Sequence, residues 1–267
     1  MDLKGAFDRA NQHVILHELV KMGIKGKLLS FIKDYLTGRK ASVWFQGKQS
    51  MTRELELGTP QGGVLSPTLF NVLMNVIVGI EVPEEVTIVA YADDVLIQAN
   101  THEQMQETLD IVGRVCDQLG FVISTTKTKA ISKVRNESKE LALQNDIIEY
   151  VETYKYLGIH VGNTQSKDIE IQRLVTSCKT RLRPLKAMAY SNLGASVSIL
   201  RTMYIAYVRS VIDYAAPALA NFDKGRLRKL EIIQNEAMRI ILGCPKSTKV
   251  SNMRLELGID AIVDRIK

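Results

Sequence analysis

Val86-Thr87-Ile88-Val89-Ala90-Tyr91-Ala92-Asp93-Asp94-Val95-Leu96-Ile97 holds two apolar, β-branched runs on either side of a short polar interruption, and its reading decides the fold. Such runs predict a β-hairpin with the acidic pair at its tip. Asp tolerates turn geometry, which accounts for one of the two acids. Two neighbouring carboxylates about 4 Å apart repel by roughly 4 kcal/mol at an effective dielectric near 20. A bound cation removes that cost. Taken alone, the pair reads first as an acidic surface hairpin, because solvent screens the repulsion and short motifs match by chance.

Two further features change the balance. A third carboxylate, Asp2, stands before Lys4-Gly5-Ala6-Phe7-Asp8, and a loop rich in Gly and Pro, Gly58-Thr59-Pro60-Gln61-Gly62-Gly63, lies between the two acidic sites. In that order, Asp2-Leu3-Lys4-Gly5-Ala6-Phe7-Asp8 resembles the first palm motif of reverse transcriptases, and Tyr91-Ala92-Asp93-Asp94 resembles their Tyr-X-Asp-Asp motif. The likeness is strongest to the non-LTR (LINE-type) retrotransposon enzymes. There the loop reads much as Gly58 to Pro67 does here, and it runs into an apolar helix as Leu69-Phe70-Asn71-Val72-Leu73-Met74 does.

The resemblance implies RNA-directed DNA synthesis: transfer of dNTPs onto a DNA primer 3′-hydroxyl along an RNA template. In such a reaction two cations held by carboxylates activate the attacking oxygen and stabilise the leaving one. Asp2 and Asp93 are the expected bridging ligands, with Asp94 supporting them. Oxygen ligands and phosphate-bridged coordination suit Mg²⁺, with Mn²⁺ as a substitute. Position by position, Phe7 matches the aromatic residue under the incoming sugar that disfavours a 2′-hydroxyl, although an ordinary core aromatic explains it too. Gln61 and Gly62 match the loop beside the nascent base pair, and Tyr91 opens the acidic motif. Lys127, in Gly120-Phe121-Val122-Ile123-Ser124-Thr125-Thr126-Lys127-Thr128-Lys129, matches a Lys proposed as general acid towards pyrophosphate; Lys129 is its neighbouring competitor. Tyr156, Leu157 and Gly158, in Tyr154-Lys155-Tyr156-Leu157-Gly158-Ile159, resemble the primer-grip hairpin, and a turn-fixing role explains Tyr156 and Gly158 as well.

The chain has 267 residues, 46% hydrophobic and 24% charged, enough for a sizeable core and more than one domain or subdomain. Apolar runs are interrupted well short of the roughly 20 residues of a spanning helix, and no signal-peptide core opens the sequence, so an intracellular protein without membrane contact is expected. Cys116, Cys178 and Cys244 are odd in number and far apart, which fits reduced thiols rather than disulfides or a zinc knuckle. His13 and His17 lie four apart, but no Glu follows His13 and the metalloprotease pattern fails. His102 and His160 are lone and read as surface or satisfied histidines.

The net charge of +6 is unevenly spread. Residues 165–267 carry 18 Lys and Arg against 9 Asp and Glu, whereas residues 1–164 carry 17 against 20. A basic half joined to an acidic site suits a polymerase, since Lys and Arg hold phosphates and carboxylates hold metals. The fold expected is α+β. An antiparallel palm sheet with helices on one face occupies residues 1–164, and an all-α, thumb-like helical region with a C-terminal connection occupies 165–267. Asp8 is the expected N-cap of a helix bearing Ile15, Leu16, Leu19 and Val20, and Leu28, Phe31, Ile32 and Tyr35 form a second stripe. Lys40 to Glu56 suggests two strands about a Gly47-Lys48 turn. Three helical faces follow: Leu174, Cys178, Leu182 and Leu185; Leu200, Met203, Tyr204 and Tyr207; Leu230, Ile233, Ala237 and Ile240.

With Asp2 second in the chain, the expectation is a fragment truncated ahead of its first motif, without upstream fingers and with little or no extension activity of its own. Two other readings remain open at this point: a non-catalytic nucleic-acid-binding remnant that keeps the fold, and an RNA-directed RNA polymerase, which Tyr91-Ala92 and Phe7 disfavour.

Overall fold

A computed structural model of the chain describes residues 1–132, 139–190 and 194–266. These form two compact units, Met1–Val151 and Glu152–Lys267, each with its own hydrophobic core. The first unit opens on extended residues 1–3, the single turn α1 (Ala6–Arg9), and helices α2 (Gln12–Lys21) and α3 (Gly26–Leu36). Four short strands follow, β1 (Arg39–Ala41), β2 (Trp44–Phe45), β3 (Lys48–Gln49) and β4 (Arg53–Leu55), then helix α4 (Ser66–Val78). The acidic hairpin is β5 (Thr87–Tyr91) and β6 (Asp94–Gln98). Helix α5 (His102–Leu119) and strands β7 (Lys129–Ala130), β8 (Leu141–Leu143) and β9 (Asp146–Tyr150) complete the unit.

β5 and β6 pair antiparallel from Thr87 opposite Gln98 to Tyr91 opposite Asp94. Residues 1–3 continue this arrangement: Asp2 bridges Asp94, and on its other side Leu3 bridges Ile123, both antiparallel. β7, β9 and β8 make a separate small sheet in which β7 runs parallel to β9. The described strands thus form five small sheets, antiparallel apart from that pair, in place of the one antiparallel sheet expected, because the strands are short and pair mostly with their neighbours in sequence. Helix α4 packs on β5, α2 and α5 and buries Leu69, Phe70, Leu73, Met74 and Ile77. Phe7 stacks on Phe70 with ring centroids 4.1 Å apart, and Phe121 meets Phe70 edge-on at 6.3 Å.

Several local expectations differ from what forms. Asp8 does not cap α2; it lies within α1, and the Asn11 side chain accepts from the His13 and Val14 N–H groups instead. The α3 stripe is rotated: Ile32 and Leu36 are buried, while Leu28 and Phe31 are exposed. Lys40–Glu56 yields four short strands in one long arm, turning at Gln46-Gly47 rather than Gly47-Lys48.

In the second unit, β10 (Thr153–Tyr156) and β11 (Ile159–Gly162) form a hairpin ahead of helix α6 (Thr164–Ala189). Helix α7 (Val197–Met203), a π-helical stretch Tyr204–Arg209, and helices α8 (Ser210–Leu219), α9 (Lys224–Leu242), α10 (Val250–Leu257) and α11 (Ile262–Ile266) follow. The faces read on α6 and α9 are buried as expected. On the third face Leu200 and Tyr204 are buried as expected, but Tyr207 is 46% exposed, and Val208 and Ile212 are buried in its place. The wider i→i+5 turn of the π segment shifts the inward phase by about one residue there. Burial pushes the Cys116 thiol up to about 12 and the Cys178 thiol to about 11, and all three cysteines are free.

The hairpin is tied to α6 through Glu170, whose side chain is 0% exposed. Its carboxylate accepts from the His160 backbone N–H at 3.1 Å, contacts His160 Nδ1 at 2.9 Å, and is gripped by Arg173 Nε and Nη2. Burial alone would raise this carboxyl, but Arg173 and then His160 hold it below its ordinary range. A folded pKa below the unfolded one gives stability that is present above the unfolded value and lost as pH falls through the folded value. Glu170→Ala is expected to cost about 2 kcal/mol at pH 7 by urea unfolding, because it removes the buried acceptor of Arg173 and His160, which both keep partial access to water. The gap between wild type and variant should narrow below about pH 4.

Candidate active site

The extended start of the chain and the acidic hairpin build the centre of the site. Val95 N–H donates to the Met1 carbonyl at 3.1 Å, and the Met1 amine donates to the Val95 carbonyl at 2.8 Å. Met1 and Val95 are thus a hydrogen-bonded pair, and the next pair, Asp2 with Asp94, is the close, non-hydrogen-bonded kind, with Cα atoms about 4.5 Å apart in such ladders. Cross-strand partners share a face. Ser124 N–H donates to the Asp2 carbonyl at 2.8 Å and Lys4 N–H to the Val122 carbonyl at 2.8 Å, fixing this strand from its other edge.

Asp93 occupies the second of the two turn positions between Tyr91 and Asp94. Ala92, the first, takes φ 51°, a left-handed conformation that costs a non-Gly residue of order 1–3 kcal/mol and persists only where the surroundings enforce it. The electrostatics are those of crowded carboxylates. Burial, and then the proximity of Asp93 and Asp2, pushes the Asp94 carboxyl above its ordinary range. Asp2 Oδ2 is buried without a hydrogen bond; Lys127 Nζ lies 3.4 Å from it.

These features fit a cation on the Asp2–Asp94 face. Among the described residues, however, no group of three or more His, Cys, Asp or Glu side chains forms a metal-holding cluster. Mg²⁺ commonly takes one or two carboxylates and completes its shell with water and substrate phosphates, so a two-carboxylate platform is compatible with it.

The Gly-rich loop is stitched to the first motif. Gly58 N–H donates to the Ala10 carbonyl at 2.8 Å and Thr59 N–H to the Phe7 carbonyl at 3.0 Å. Only Gly fits at position 58: φ is +82°, and a Cβ would lie 2.9 Å from the Phe7 and Asp8 carbonyl oxygens. Gln61 Nε2 donates to Asp8 Oδ1 at 2.8 Å, while Gly62 is exposed. Two of the supports carry no signal in residue type or spacing: Tyr35 Oη sits 3.0 Å from Ser66 Oγ, and Arg39 donates to the Leu36, Leu57 and Gly58 carbonyls.

Phe7, Gln61, Gly62, Tyr91, Asp93, Asp94, Asp2 and Lys127 all belong to the first unit. Lys129, the competitor of Lys127, is engaged with Glu149 at 2.5 Å. Tyr156, Leu157 and Gly158 lie in the second unit. There Leu157 (φ 46°) and Gly158 (φ 80°) form the two-residue turn, and Tyr214 Oη donates to the Leu157 carbonyl at 2.7 Å. His160 is satisfied by Glu170, and His13 and His17 are exposed.

The family model described as reverse transcriptase (RNA-dependent DNA polymerase) matches residues 1–161. The whole chain is similar to the RNA-directed DNA polymerase from mobile element jockey of Drosophila funebris, at 25% identity over 30% of that protein. It is likewise similar to the probable RNA-directed DNA polymerase from transposon BS of Drosophila melanogaster, at 22% identity over 31% of it. Three quarters of the chain (75%) is 31% identical to the Pol polyprotein from type-1 retrotransposable element R1 of Nasonia vitripennis, covering 64% of that protein. The chain thus spans less than a third of the length of the first two relatives.

If the carboxylate face binds Mg²⁺, the ion at ten times its dissociation constant should stabilise the protein by about 1.4 kcal/mol, read as a rise in melting temperature. Asp2→Asn should abolish the rise, and a rise of the same size in that variant would contradict the assignment.

Proposed function

We propose that this chain, which belongs to the reverse transcriptase family, provides the palm and thumb of an RNA-directed DNA polymerase of a non-LTR retrotransposon. The observation that carries the reading is the cross-strand pairing of Asp2 with Asp94 at the hairpin that bears Asp93. Residues 1–164 are the palm in this account, and 165–267 the thumb and C-terminal connection.

Asp2 and Asp93, supported by Asp94, would hold two Mg²⁺ ions, or Mn²⁺ in their place. When bound, these supply activation of the primer 3′-oxygen and charge neutralisation at the leaving pyrophosphate. Phe7, braced by its stack on Phe70, presents a rigid ring to the sugar of the incoming dNTP and disfavours a 2′-hydroxyl. Gln61, oriented by Asp8, and the exposed Gly62 backbone border the nascent base pair, and Tyr91 lies beside it. Lys127 holds a proton for the leaving pyrophosphate from its position next to Asp2. The turn Tyr156-Leu157-Gly158 supports the primer strand. On α6, Lys179, Arg183 and Lys186 are exposed at helical spacing and suit the phosphates of the template–primer duplex. Among the described residues no helix is long and apolar enough to cross a membrane.

The test is primer extension on poly(rA)/oligo(dT) with Mg²⁺, using this chain and a version extended upstream in its reading frame. Asp93→Asn should lower extension by about a thousandfold, the equivalent of several kcal/mol of lost charge stabilisation, with folding intact. Extension retained by Asp93→Asn would overturn the reading, and duplex binding without extension in any form would favour a non-catalytic nucleic-acid-binding protein. Phe7→Ala should raise the use of ribonucleotides relative to deoxynucleotides, measured as the ratio of kcat/KM values.

A further inference from the structure

The arm formed by β1 to β4 carries no buried residue from Lys40 to Leu57. Its outer part turns at Gln46-Gly47, both with positive φ (48° and 74°), the signature of a tight type I′ hairpin turn. Between the pairs Ala41–Arg53 and Trp44–Gln49, two residues on the outgoing side face three on the return, a one-residue bulge that twists the ribbon. A two-stranded ribbon with no core of its own is marginal in water. It is fixed at its root, where Arg39 Nε donates to the Leu36 carbonyl at 2.9 Å and Nη2 to the Leu57 carbonyl at 2.8 Å and the Gly58 carbonyl at 2.6 Å. Gly58 and Thr59 in turn bond to Ala10 and Phe7, so the arm springs from the candidate active site.

What the arm displays is unusual for a free surface. Trp44, the chain's single Trp, is 68% exposed and Phe45 69%, with Val43 and Met51 beside them. Successive strand residues point to opposite faces, so the ribbon offers one large ring on each side. Residues 38–53 contain Arg39, Lys40, Lys48 and Arg53 and no Asp or Glu; Lys48 stands directly opposite Phe45 at the tip. Lys40 is paired with Glu54. Glu54 and Glu56 lie at the root of the arm, and its outer part, with exposed rings interleaved with cations and no acid, matches a polyanion that carries flat, stackable faces.

We propose that this arm is a stacking platform for single-stranded nucleic acid, with Trp44 and Phe45 taking unpaired bases and Lys48 and Arg53 the adjoining phosphates. The proposal deepens the polymerase reading, since it supplies a holder for the unpaired strand next to the paired region, and it rests on that reading for its partner. Base stacking on aromatic rings tolerates any sequence, and RNA and DNA should bind alike.

Trp44 is its own reporter. Titration of the 267-residue chain with 20-nucleotide oligo(dT) or oligo(rU), in EDTA and without dNTPs, should quench its fluorescence saturably. The double variant Trp44→Ala with Phe45→Ala should bind a labelled single strand about tenfold more weakly by anisotropy, with an unchanged thermal melt. Unchanged fluorescence at saturating oligonucleotide, or unchanged affinity of the double variant, would overturn the proposal. So would quenching by anionic phosphatidylserine vesicles with none by oligonucleotide. Because the quenching needs no metal, the two readings fail separately. Extension with no quenching sinks the platform alone, and quenching with no extension in any form sinks the polymerase reading alone.

Discussion

The first motif and the acidic hairpin are more than ninety positions apart in sequence, and one narrow backbone pairing joins them. Met1 and Val95 exchange both hydrogen bonds, which leaves Asp2 and Asp94 as the close pair on a shared face. Two carboxylates held that way are unfavourable unless something positive meets them; the raised Asp94 carboxyl is a sign of that cost, and Lys127, 3.4 Å from the Asp2 oxygen, offsets part of it. Leu3 on Ile123, the Phe7–Phe70–Phe121 ring cluster and the Gly58 loop all hold the same strand in place. A one-residue slip of residues 1–3 would turn Asp2 to the opposite face and dismantle the site.

How much of this was legible beforehand follows from the range of the forces involved. The hairpin, the apolar helix after Pro67 and the α6 and α9 faces rest on local patterning, and these formed as read. What local pattern cannot carry is the choice among similar alternatives. Asp8 and Asn11 are both good caps, and the backbone at Gly5 and Ala10 selects Asn11. Leu28 and Ile32 are equally apolar, and only the neighbours of α3 decide which is buried. Tyr207 was misplaced because a π segment has no sequence signature at that resolution of pattern.

At the site, the carboxylates, Phe7, Gln61 and Lys127 were visible because their types and order resemble a known family. Their supports were not. Arg39 and Tyr35 act on backbone carbonyls or a hydroxyl that become neighbours only after folding, and the left-handed Ala92 and Leu157 have no marker in residue type. The arm from Lys40 to Leu57 is a different case: its alternation suggested strands, and strands form, but neither face is covered. Alternation reports only which residues share a face.

The central claim, that a cation bridges the start of the first motif and the hairpin tip, is tested most directly by soaking crystals of this protein with Mn²⁺ and measuring anomalous diffraction. The account predicts a manganese peak within about 2.5 Å of carboxylate oxygens from both Asp2 and the Asp93-Asp94 pair. Peaks confined to one of these, or none between them at saturating Mn²⁺ with triphosphate bound, would contradict it.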